Sequence, residues 1–87
     1  MDIIESYYNE YNDENWNYYM SYIKSSNIKL DGIPQDIVDA LYSAMGIKMM
    51  DWIKAPISAL EGKAPIELLD SEKGIKALKV LIMELPE

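Results

Sequence analysis

Pro56 and Pro65, with Gly62 between them, forbid any long helix through the middle of this chain's second half. Proline has no N–H to donate, and it pushes the residue before it out of the α region. A helix must therefore end ahead of Pro56, while Pro65 suits the first position of a new one. Bulky apolar residues are spread along all three parts of the segment. Trp52 and Ile53 precede the first proline, Leu60 lies between the two, and Leu68 and Leu69 follow the second. Such a pattern suits short helices folded back on one another around a shared core.

Similar punctuation divides the rest of the chain. Ile3, Ile4, Tyr7, Tyr8 and Tyr11 share one helical face, opposite Glu5, Ser6, Asn9 and Asn12. Asp13 is expected to cap a second helix carrying a stripe of Trp16, Tyr19, Met20 and Ile23, with Tyr18 and Tyr22 on its flank. Lys29 to Pro34 reads as a turn. A third helix over 34–45 is expected to turn Ile37, Val38, Leu41, Tyr42 and Met45 inward and Asp36, Asp39 and Ser43 outward, with Gly46 as its stop. A short helix over 47–54 carries Met49, Met50, Trp52 and Ile53. Ser58 to Glu61 has capping-box spacing and predicts a single turn. Pro65 opens a further short helix through Leu69, and Asp70 or Ser71 caps the last, over about 71–85. No five-residue segment alternates in the manner of a strand.

These readings predict an all-α fold, a small single-domain bundle of five to six short helices. Its core is expected to join Trp52, Leu60, Leu68, Leu69, Leu78 and Ile82. Residues 1–31 read as an acidic, Tyr-rich helical extension and 32–87 as the main helical domain, together one compact unit. In the last helix Ile75, Leu78, Leu81, Ile82 and Leu85 share a broad inner face. Val80 and Met83 are expected to project opposite, among Lys76, Lys79 and Glu84. Both are candidate partner-binding residues, together with Tyr8, Tyr18 and Tyr22, because tyrosines supply rigid contact area with a hydrogen-bonding tip.

Charge narrows the range of partners. The net charge of -7 is carried almost wholly by residues 1–44, and every cation in the chain is a lysine. Nucleic-acid affinity depends on releasing counterions at a basic surface, so no nucleic-acid partner is expected. The longest apolar run, Val80 to Met83, is far too short to span a bilayer, and the chain opens without a basic, apolar leader. Together with the absence of Cys, this predicts a cytoplasmic protein without a membrane partner. His and Cys are both missing, and no Gly-rich phosphate loop is present. Acids three apart, such as Asp36 with Asp39 or Glu67 with Asp70, read as solvated faces. Neither an enzyme nor a cofactor or metal site is expected.

One part of the chain is more specific. The ordered series Trp52, Pro56, Leu60, Gly62, Pro65, Leu68, Leu69 and Gly74, with Val80 and Leu81 beyond it, resembles the C-terminal toxin-binding domain of the Xre/MbcA/ParS family of bacterial antitoxins. The resemblance covers about residues 38–83. Taken alone, these residue types describe architecture: a large apolar helix end at Trp52, a reversal between the prolines, and a close helix approach at Gly74. The resemblance implies a stoichiometric complex with a RES-type, NAD+-consuming toxin, and a homodimer. Many members also carry a helix-turn-helix that represses their own operon. The region before Gly32 is too short and too acidic for one, so autoregulation is not expected. The chain stops at Leu85-Pro86-Glu87, which also argues against a tail that reaches a toxin's active site. A second reading from the acidic, Tyr-rich half is a small inhibitor or decoy, from a mobile element, that blocks a basic nucleic-acid-binding protein.

Overall fold

The computed structural model describes residues 2–85; Met1, Pro86 and Glu87 lie outside it, and with them part of the expectation about the last three residues. All regular structure among the described residues is helical: α1 (Ile3–Glu10), α2 (Asp13–Met20), α3 (Gln35–Met45), α4 (Met49–Trp52) and α5 (Glu72–Glu84). Single 3-10 turns at Gly46–Lys48 and Ser58–Leu60 and a longer 3-10 segment at Pro65–Asp70 fill the second half. The proline and glycine punctuation divides the chain as its chemistry requires.

Short polar side chains start three of the helices by accepting otherwise unpaired backbone N–H groups. Asp2 accepts from Ile4 N–H at 3.0 Å. Asn12, rather than Asp13, caps α2, its Oδ1 accepting from Glu14 N–H at 2.8 Å and Asn15 N–H at 3.1 Å. Asp13 is instead the first helical residue, where its negative charge suits the positive end of the helix dipole. Ser71 caps α5 by accepting from Gly74 N–H at 3.0 Å. Pro34 lies one residue ahead of α3 rather than in its first turn. Gly46 ends α3 with φ +63° and ψ -146°, a backbone conformation essentially reserved for glycine rather than the usual left-handed stop. The expected capping box at Ser58 does not form, since the Ser58–Leu60 turn has no side-chain cap. Half of such a box appears further on, where the Glu67 carboxylate accepts from Ala64 N–H at 2.7 Å.

α5 is the centre of the molecule. Ala77, Leu78, Leu81 and Ile82 join Ile37, Val38, Ala40 and Leu41 of α3, Met49 and Ile53 around α4, and Leu60 and Leu68 from the 3-10 segments in one buried cluster. Burying side chains of this size stabilises by about 1.5–3 kcal/mol each. Three expectations about the core need correction. Trp52 and Leu69 are half-buried and pack against its edge. Tyr42 is exposed, whereas Ala40 on the same helix is fully buried. The tryptophan that the core encloses is Trp16 of α2, only 4% exposed. Its indole N–H donates to Asp36 Oδ2 at 3.1 Å, which satisfies the one polar atom that burial would otherwise strand.

Candidate partner-binding surfaces

The segment from Trp52 to Gly74 folds as one interlocked unit. α4 ends at Trp52, and the chain turns through an exposed Pro56 into the Ser58–Leu60 turn. Leu60 plunges into the core, while Gly62 takes φ +90° and donates its N–H to Ile57 O at 2.9 Å. Ile57 N–H in turn donates to Lys63 O at 3.2 Å, closing the reversal. Pro65 is buried, and the next residue, Ile66, donates its N–H to Ile53 O at 2.9 Å, binding the Pro65–Asp70 segment to the end of α4. Leu68 is buried. Gly74 is backed directly against that residue's main chain: a Cβ at position 74 would lie 2.0 Å from Leu68 O and 2.8 Å from Leu68 C. Only glycine permits this approach of α5. Leu60, Gly62, Pro65, Leu68 and Gly74 thus serve the architecture, Trp52 and Leu69 pack against the edge of the core, and Pro56 is exposed.

The acidic N-terminal half is bound to α5 through three lysines at helical spacing. Lys73 pairs with Glu5 and lies 5.5 Å from the ring centre of Tyr8. Lys76 and Lys79 stand 5.5 and 5.8 Å from the Tyr11 ring. Lys79 also lies 5.2 Å above Trp16 and 3.4 Å from Asp36 Oδ2. A lysine over an aromatic face is drawn by the ring's negative quadrupole, and such pairs supply about 0.5–1 kcal/mol at exposed sites. Burial first, and then a hydrogen bond to Asp13, pushes the Tyr11 phenol up to about 12. The hydrogen bond to Glu5, above all, holds the Lys73 ammonium above its ordinary range.

This docking corrects the reading of Val80. Val80 lies one helical turn beyond Lys76, on the side of α5 that α1 occupies, and is only 5% exposed. Met83 is half-buried, packs against the core and lines a separate groove with Tyr19, Ile23 and Leu85. Neither forms the projecting pair expected of it.

The two acids on α3 also differ from a solvated face. Asp36 accepts from Trp16 and pairs with Lys79. Asp39 Oδ1 accepts from Ser26 N–H at 3.1 Å, Ser26 Oγ at 2.8 Å and Gln35 Nε2 at 2.9 Å. Burial on its own would raise the Asp39 carboxyl, but these donors outweigh it and hold the group below its ordinary range. The loop after α2 is thereby fastened to α3.

Two of the open surfaces among the described residues bring several aromatic or apolar side chains together. Tyr18 and Tyr22, 68% and 71% exposed, meet edge to face with ring centres 5.3 Å apart, and Tyr22 O–H donates to Tyr18 Oη at 2.9 Å. Tyr22 and Tyr42 line a neighbouring groove with Ser25, Ser26 and Ser43. Tyr8, at 37% exposure, is already engaged by Lys73. On another face Leu30, Ile33, Met50, Ile53 and Ile66 line an apolar cleft of about 160 Å³, with Asp31 and Lys54 also lining it. Met50 and Ile66 are substantially exposed there. Sequence reasoning placed Met50 on a short helix but missed its role in this cleft. The available signal was the surplus of apolar residues around Trp52, more than one short helix can turn inward.

No helix among the described residues is long and apolar enough to cross a membrane. No family model, no curated protein and no solved structure matches the chain.

Proposed function

We propose that this chain is an antitoxin-like binding module that neutralises a RES-type, NAD+-consuming toxin by forming a stoichiometric complex. The reading rests on the ordered series from Trp52 to Gly74, and one observation carries it beyond spacing. Most of the series is spent on building a scaffold, while Met50, just ahead of it, and Ile66, within it, are left open on one apolar cleft. A helix-and-turn frame that holds apolar side chains outward supports binding through a prearranged surface, because little ordering entropy is then lost on association.

Co-expression with a RES-domain toxin tests the proposal through growth rescue and co-purification. Rescue together with an equimolar complex is the expected result. Met50→Lys with Ile66→Lys should abolish both while leaving the helical circular dichroism signal intact, since both side chains already meet solvent. Failure of the unmodified protein to bind or rescue would overturn the reading.

A further inference from the structure

We propose that Tyr18, Tyr22 and the adjacent Glu14 form a docking stripe for an arginine-bearing segment of a partner protein. The three residues are four apart in sequence, so α2 and the turn after it align them along one outer edge. Glu14 is exposed and enters none of the ion pairs found among the described residues. Tyr18 and Tyr22 meet edge to face with their planes at 80°, and both side chains stay largely exposed to solvent.

Charge complementarity identifies the occupant. Residues 2–23 carry five acids and no cation. The aromatic rings on the inner side of this half are already met by Lys73, Lys76 and Lys79. Among the described residues, no lysine stands over Tyr18 or Tyr22. The outer tyrosines therefore offer outward the same cation-binding chemistry that the inner ones use to hold α1 and α2 on α5. A guanidinium suits this exposed aromatic surface better than an ammonium. It is planar, stacks on an aromatic face, is less strongly hydrated, and can still direct a fork of N–H donors at the Glu14 carboxylate. Lys24, beside Tyr22 in the neighbouring groove, limits the stripe at that end.

The test separates this stripe from general attraction to an acidic protein. Acetylated, amidated hexa-arginine and hexa-lysine peptides carry equal charge, and each is titrated into the full chain by calorimetry. Hexa-arginine should bind at least about threefold more tightly, in line with the strength of exposed cation–π pairs. Tyr18→Ser with Tyr22→Ser keeps the net charge, replaces two exposed side chains, and should erase the preference. Amide chemical-shift changes should centre on residues 14–22 in the unmodified protein. Equal affinity for the two peptides, no binding, or a preference that survives in the double variant would overturn the assignment.

Discussion

Replacing Gly74 with alanine should destabilise this protein, although helix propensity alone argues the opposite. Gly74 lies in the first turn of α5, and alanine is worth about 1 kcal/mol more than glycine inside a helix. The added methyl carbon, however, would lie 2.0 Å from Leu68 O, where even a close C–H···O contact needs about 3.3 Å. The obstructing atoms belong to the backbone, so no rotamer change relieves them. Either α5 or the Pro65–Asp70 segment must withdraw by about 1.3 Å, the difference between those two separations. Withdrawal loosens Leu68, Leu78 and Ile82 in the core. Overpacking strain costs about 1–3 kcal/mol, and a clash with backbone that no rotamer relieves belongs to the upper part of that range, about 2–3 kcal/mol. After the propensity gain of about 1 kcal/mol, a net loss of about 1–2 kcal/mol remains. For a domain of this size the melting temperature should fall by roughly 5–15 °C. Thermal unfolding followed by circular dichroism at 222 nm, with Ser71→Ala as a separate control for the cap, measures the effect. A melting temperature equal to or above that of the unmodified protein would refute the close-approach argument.

The two tryptophans should separate clearly: Trp16→Ala costs about 3–5 kcal/mol, whereas the half-buried Trp52→Ala costs about 1–3 kcal/mol, and urea titrations rank them. Val80→Lys places an unpaired charge beneath α1 and should cost roughly 3–5 kcal/mol, visible as a collapse in the urea midpoint rather than as a change in self-association alone. Asp39 has a lowered pKa, so its contribution is present above the ordinary value of 3.8 and is lost as pH falls through the lowered one. Asp39→Asn should therefore flatten the acid limb of the stability profile. Tyr11 has a raised pKa, so stability is full below its ordinary value of 10.0 and falls as pH rises toward about 12; Tyr11→Phe should remove that alkaline component.

Much of the architecture was legible because proline, glycine and apolar periodicity act locally. The positions of α3, the Pro65 segment and α5 follow from Gly46, Pro65 and Ser71 with little help from distant contacts. Gly74 was legible for the same reason: a glycine early in a helix implies a close neighbour. What escaped depended on which element covers which. Periodicity marks Trp16 and Trp52 alike as apolar helix residues, and only the docking of α2 decides that Trp16 is enclosed. Val80 looked exposed because α5 was read alone. Its cover could have been anticipated from charge, since a cation-free N-terminal segment rich in acids and tyrosines complements the lysine row of α5. Asp36 and Asp39 were misread similarly, as their partners arrive from residues 16 and 26. The Met50 and Ile66 cleft was missed because it joins residues from separate turns, which no single-helix pattern reports.

The pairing of Glu5 with Lys73 joins residues 68 apart in sequence. α1 contributes no fully buried residue to hold that long closure, although Ile4 and Tyr7 lean on the core. Chain closure over such a span costs entropy that only later contacts repay, so α1 should dock late in folding and detach early in unfolding. Amide hydrogens in α1 should then exchange through openings that leave α3 and α5 protected. Each opening briefly bares the Val80 side of α5, making that stripe a surface governed by time rather than by static exposure.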